Sequence, residues 1–443
     1  MVIPNILILL SGLVLLWSLI SIYMSSNGRA YYVLIFGGLF LLLNVIVPLI
    51  VNLNGYAYSV RWGQDLKIKD DNVYMVYCLY VLGLSIAYGG VSLALKKGLG
   101  FGWVETKDLS WLKMLHFLSG ISVVAGFFIF VYGTGMSLFE LFGATRFAWF
   151  ANETVVEGIL NTGLYFVSLV AVYAYLDVRL GFPNKWLSVL VYTVVVLMVL
   201  VSGGRKWIIF FMSGVLAGYF QKKGRVEIKI KHLMSVLLVI VFISIWQYGR
   251  NIDSTLGEGF SEQLYEKSLS DGEAFYRGDA SYFYRASLEA IDLNYNQGVL
   301  YPGAILLRIV LMPVPRGWSF GVKPEGIPAT FAKDIGAVNE ARDGNMPPGI
   351  IGAFALSFGS ILGSVLFAIM VPTLLICLEV RAGGRVGLLS VPLSAYFISA
   401  ATLLLRGSSG GLYFMAFGVV FVFIVYWASF LLGSFRYRSK RWL

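Results

Sequence analysis

The chain has 443 residues, of which 58% are hydrophobic and 13% charged, and its formal net charge is +10. A soluble domain of that size carries charge on about a quarter of its residues, so the apolar excess here must face lipid. The basic residues gather in short segments between apolar runs, where they anchor topology and touch anionic lipid, and they give no reason to expect a nucleic acid partner.

In chain order the apolar runs lie near 5–24, 31–52, 73–95, 115–133, 159–178, 186–203, 207–220, 232–249, 350–379, 387–405 and 412–434. Most reach the roughly 20 residues that cross about 30 Å of hydrocarbon. Lipid offers the backbone no water, so each run is expected to be a helix with internally paired amides. The first run lacks a basic leader and a small-residue cleavage site and reads as a retained helix. The sixth and seventh are short and joined at Gly203-Gly204-Arg205-Lys206, a tight turn at one membrane face. The expected architecture is an all-α polytopic membrane protein with about 11 (10–12) transmembrane helices. It divides into a membrane domain over 1–249 with about eight spans, a long loop over 250–349, and C-terminal membrane helices with a tail over 350–443.

Orientation follows from the short basic loops. Lys96, Lys97, Lys107 and Lys113 share one segment, Lys222, Lys223, Arg225, Lys229 and Lys231 another, and Arg436, Arg438, Lys440 and Arg441 the tail. Alternation of spans makes the three coplanar, and basic residues are retained on the cytoplasmic side. The segment 250–349 is thereby sent to the opposite face. Cytoplasmic loops are too short to hold a nucleotide-binding domain, and there is no Walker A pattern. Cys78 and Cys377 each fall within a predicted span, which speaks against a disulfide framework.

Within 250–349 the composition changes. Glu258, Glu262, Glu266 and Glu273 recur with Lys267 and Arg277 at helical spacing, interleaved with Leu264, Tyr265, Leu269 and Phe275, which predicts amphipathic helices. Leu300 to Met312 is apolar, too short to span, and closed by Pro313-Val314-Pro315-Arg316, as an interfacial or re-entrant helix would be. The segment is expected to fold as a small helical cap.

The face that carries this segment also keeps arginines that retention of positive charge should deplete. Arg205, Arg250, Arg342 and Arg406 approach helix ends, and Arg316 follows the proline-rich turn. Guanidinium groups grip phosphate oxygens in a bidentate fork, so these five are the candidates for a lipid-phosphate site. Each one can instead cap carbonyls or pair with a carboxylate such as Asp253. Glu140, Asp253, Glu258, Asp334, Glu340 and Asp343 are among the carboxylates on that face; Asp253, Glu340 and Asp343 are the candidates for a general base toward a hydroxyl. No Asp-x-Asp pair or histidine cluster predicts a metal, and no cofactor is expected. The two histidines, His116 and His232, fall at predicted cytoplasmic helix ends. Helix interiors read as nearly free of ionisable residues, which weighs against an ion-coupled transporter.

Val201-Ser202-Gly203-Gly204-Arg205-Lys206 resembles the glycine-arginine element at the outer helix end of O-antigen polymerases and ligases. Pro313-Val314-Pro315-Arg316 with Lys323-Pro324, then Pro347-Pro348-Gly349-Ile350-Ile351-Gly352 through Gly359, resembles the outer loop and following helix of Wzy-type oligosaccharide repeat-unit polymerases. Members of that family often carry an acid where Ala353 stands here. The resemblance implies a GT-C-like, metal-independent glycosyltransferase in the bacterial inner membrane, active at its periplasmic face. Its substrates would be undecaprenyl-diphosphate-linked glycans for O-antigen, capsule or exopolysaccharide, with a Wzz-type co-polymerase setting chain length. Tyr265, Phe275, Tyr276, Tyr282, Tyr284 and Trp318 would stack sugars or form an interfacial belt. An O-antigen ligase, a polysaccharide flippase or transporter, and a structural partner of a synthesis complex stay open.

Overall fold

The structure, a computed structural model, describes residues 2–53, 71–97, 110–137, 140–141, 157–202, 206–226, 279–304, 307, 311, 327–335, 347–382, 388–407 and 410–439. All the regular structure among them is helical. In chain order the helices are α1 (Val2–Ser26), α2 (Tyr31–Leu41), α3 (Val47–Leu53), α4 (Asp71–Lys96), α5 (Ser110–Gly133), α6 (Glu157–Ser168), α7 (Val170–Leu180) and α8 (Lys185–Ser202). Then come α9 (Lys206–Lys223), α10 (Asp279–Gln297), α11 (Ile327–Asp334), α12 (Gly349–Phe358), α13 (Ser360–Ala382), α14 (Ser390–Leu405) and α15 (Gly410–Ser439).

Among the described residues, seven stretches are long and apolar enough to cross a membrane: Ile3–Ser26, Tyr31–Leu53, Asp71–Lys96, Trp111–Gly133, Ile159–Leu180, Ser360–Val380 and Leu412–Phe430. Their exposed side chains are those lipid would solvate: on α1, Ile6, Leu9, Leu13 and Trp17 all point outward. The chain is therefore an all-α, multi-pass membrane protein. Shorter apolar helices cover Lys185–Val201, Gly349–Phe358 and Ser390–Leu405. The run at 207–220 forms α9, and the run at 232–249 lies outside the described residues.

The chain folds into two compact units, and the division cuts the chain within α13, α14 and α15 among other places. Unit one comprises Met1–Gly102, Glu266–Val380 and Ala400–Tyr413; unit two comprises Trp103–Tyr265, Arg381–Ser399 and Phe414–Leu443. In unit two, α7 and α9 approach at backbone contact, because a Cβ on Gly214 would lie 2.2 Å from the Ala171 carbonyl oxygen and one on Gly218 2.6 Å from that of Tyr175. Small residues spaced four apart give helices in lipid the close packing that no hydrophobic effect supplies there. The fifth span is interrupted between α6 and α7 at Leu169, and the Tyr396 hydroxyl donates to the Ser168 carbonyl at 2.8 Å.

In unit one, the run at 350–379 is not one helix. Gly359, at φ +84°, divides it into a buried ten-residue α12 and a spanning α13. Neighbours satisfy the groups the break frees. Tyr301 N–H donates to Leu356 O at 2.6 Å and Gly303 N–H to Ser357 O at 3.0 Å, while Asn294 Oδ1 of α10 accepts from the Ser360 amide at 2.7 Å. Irregular backbone in a membrane protein survives where protein buries and pairs it in this way. Part of the long segment packs on α12: Ala286, Ala290 and Leu293 of α10, with Ile327 and Phe331 of α11, form a small core with Ala353 and Leu356.

Candidate functional site

Helix α10 is largely buried from Phe283 to Leu293, and its faces do different work. Phe283, Ser287, Ala290 and Asn294 meet α12 and the start of α13. Ser287 Oγ donates to Pro348 O at 3.0 Å. Gly349 follows at φ +70°, where a Cβ would stand 2.1 Å from Ser287 Oγ. Only glycine takes this backbone form and this proximity together.

The end of α14 closes the junction. The Gly349 amide donates to the Arg406 carbonyl at 3.1 Å, and Gly407, at φ +78°, lies against the Gly349 backbone. The Arg406 guanidinium sits 4.6 Å from the centre of the Phe283 ring. A half-buried arginine, oriented on an aromatic face, is thus fixed beside the first turn of α12. The Gly349 amide is thereby paired already, and the guanidinium is the group at this junction whose planar fork has the shape that suits phosphate oxygens.

Two residues after Phe283 on α10, Arg285 Nε donates to Glu289 Oε1 at 3.0 Å, with both side chains largely buried. Burial pushes the Glu289 carboxyl above its usual range, and the Arg285 charge pulls the other way. The pair was legible as an i, i+4 spacing, but its burial was not.

Of the predicted site residues, Arg406 is the one the structure describes, and it stands at this junction. Arg205, Arg250, Arg316, Arg342, Asp253, Glu340 and Asp343 lie outside the described residues. So do Tyr265, Phe275, Tyr276 and Trp318. Tyr284 is 1% exposed, with its ring against Tyr77 and its hydroxyl on Asn52, so it packs helices and offers no face to a sugar. Glu140 is exposed and forms a reciprocal capping pair with Ser137, whose hydrogen bonds hold its carboxyl below the usual range. Asp334 accepts from the Tyr301 hydroxyl. In unit two, Lys206 Nζ lies 4.7 Å from the Trp207 ring centre and 5.5 Å from that of Phe414.

Two carboxylates sit buried inside predicted spans, which the reading of nearly charge-free interiors did not foresee. In unit one, Glu379 of α13 accepts from the Tyr32 amide at 2.7 Å, capping the start of α2. In unit two, Asp177 of α7 is wholly buried. His116 Nε2 of α5 and Ser188 Oγ of α8 each lie 3.0 Å from its Oδ1, and the Tyr192 hydroxyl donates to its Oδ2. Both residues fall near helix ends, where sequence offers no sign of burial. Because Asp177 satisfies groups from two other helices, Asp177→Ala is expected to cost about 3 to 5 kcal/mol. Asp177→Asn should lose less. Size-exclusion profiles and apparent Tm of the purified variants check this, and a wild-type Tm for Asp177→Ala would refute it.

The helices and their composition define the class: a multi-pass α-helical membrane protein with a polar junction in unit one. Compared with known protein families, curated proteins and solved structures, the chain finds no match.

Proposed function

We propose that the protein polymerises undecaprenyl-diphosphate-linked oligosaccharide repeat units at the periplasmic face of the bacterial inner membrane. The observation that carries this reading is the junction of α10, α12 and α14, where Arg406 on Phe283 adjoins the start of α12. The likeness of the Pro347–Gly359 segment to repeat-unit polymerases supports it, as does the basic character of the short loops on the opposite side.

In this reading the bond between the sugar anomeric carbon and the diphosphate oxygen of the nascent chain breaks. The lipid diphosphate leaves with the electron pair, and a hydroxyl at the non-reducing end of a new lipid-linked repeat unit forms the glycosidic bond. The hydroxyl proton goes to a carboxylate, with Glu340 and Asp343 of unit one as candidates. Arg406 stabilises the charge developing on the leaving diphosphate, with Arg316 and Arg342 as the further candidates in the same unit. No nucleotide supplies activation there, so the lipid diphosphate must. A Wzz-type partner would set chain length.

Purified protein given undecaprenyl-diphosphate-linked repeat units is expected to build a ladder of longer glycans, undiminished by EDTA. Activity lost to EDTA and restored by a divalent ion would overturn the metal-independent mechanism. A carrier reading draws on the buried His116–Asp177 pair. Lipid-linked units crossing proteoliposomes without chain growth would replace the polymerase with it, and transfer to a lipid A acceptor would make the protein a ligase.

A further inference from the structure

The second long helix of unit one contains a feature that none of this chemistry uses. Between α2 and α3, Leu42–Ile46 form a π-turn, with the Val47 amide donating to Leu42 O. Such a turn holds one residue more than an α-helix needs. Residues beyond it therefore face roughly 100° away from where an unbroken α-helix would put them.

Contacts from other helices hold the turn. The Tyr77 hydroxyl of α4 donates to the Asn44 carbonyl at 3.1 Å. The Tyr77 ring meets Tyr284 of α10 edge-on, with centroids 5.0 Å apart. The Tyr284 hydroxyl accepts from Asn52 Nδ2 at 3.0 Å and donates to Asn52 Oδ1 at 3.1 Å, at the end of α3. Asn52 Nδ2 also donates to Asn5 Oδ1 of α1 at 2.7 Å. Against this hold stands Asn44, whose buried Nδ2 makes no hydrogen bond. A buried donor left unsatisfied raises the energy of the state that contains it.

We propose that the π-turn is a register switch, latched by Tyr77 of α4 and Tyr284 of α10. With α10 seated, the turn persists and Asn52 faces Tyr284. When the latch is lost, the turn relaxes to α-helix and α3 rotates by roughly 100°, swinging Asn52 away and exposing the side of α3 now buried. Tyr284 adjoins Phe283, which lies under Arg406, so one helix is biased by both the candidate site and the switch. The proposal stands without the polymerase reading, and its test uses no glycan.

Val51, on α3, is 2% exposed and serves as reporter when replaced by cysteine in a Cys377→Ser background, Cys78 being buried. Tyr77→Phe and Tyr284→Phe keep each ring and remove its hydroxyl. Each is expected to speed N-ethylmaleimide labelling of Val51→Cys about fivefold, the shift that losing one ordinary hydrogen bond produces in a two-state equilibrium. Deleting Ile46, 40% exposed within the turn, makes the turn α-helical while leaving both flanks on their present faces. In that background the same tyrosine changes should leave labelling at its original low rate. Unchanged labelling in the full-length chain would mean a static turn and sink the proposal. An equal rise with and without Ile46 would mean that α3 merely loosens, and it would do the same. Failure of the deletion to fold, read by size exclusion, also counts against the switch, which needs an α-helical turn here to be an accessible state.

Discussion

Arg406→Lys is expected to slow polymer formation about ten- to a hundredfold while the protein remains at its normal abundance in the membrane. A charge-assisted hydrogen bond is worth roughly 1.5 to 3 kcal/mol. If the contact forms with the departing diphosphate, its loss enters the barrier at about 1.4 kcal/mol per tenfold in rate. Lysine keeps the charge and can still lie over the Phe283 ring, so a residue that only packed the junction would tolerate the change. It cannot reproduce the planar fork. The main-chain carbonyl that receives the Gly349 amide is the same in both variants, so the junction itself survives. Polymer length and membrane abundance measured together decide the matter. Normal polymer at normal abundance would remove Arg406 from the site.

Gly407→Ala is expected to destabilise unit one by about 3 kcal/mol or more, through two separable costs. Its φ of +78° is a conformation that alanine adopts at a penalty of roughly 1 kcal/mol. Its Cβ would stand 2.7 Å from the Gly349 oxygen, 2.8 Å from the nitrogen and 2.9 Å from the carbonyl carbon. Those are main-chain atoms, which cannot swing aside as a side chain does. Gly224 separates the two costs, because its φ is +68° and a Cβ there meets nothing within 4 Å. Gly224→Ala should therefore show only the conformational part. Apparent Tm values of the two variants in detergent provide the comparison, and equal losses would disprove the close approach of the α14 end to Gly349.

Arg406 illustrates how far the candidate site could be read. A charge at the end of an apolar run, on a face that should be poor in arginine, marks it in the sequence. Its support does not show there, since Phe283 and Gly349 belong to separate segments that meet only through tertiary packing. The same holds for Asp177, whose partners His116, Ser188 and Tyr192 come from two other helices. A carboxylate near a helix end reads as solvated until those helices close around it.

Composition and run length alone determined that this is an α-helical membrane protein. The reason is physical: a run of about 20 apolar residues in hydrocarbon has no partner for its amides except itself. The same apolarity conceals what happens inside a run. In the 350–379 stretch, lone Gly359 carries no message until Asn294, Tyr301 and Gly303 supply hydrogen bonds to the ends it frees. Over 31–53, one surplus residue leaves no periodic trace in a helix that is apolar on every side, and Tyr77 with Tyr284 hold the π-turn from other helices. Only tertiary structure decided the broken α12–α13 helix, the π-turn and the partners of Arg406, because each depends on a donor or ring distant in the chain.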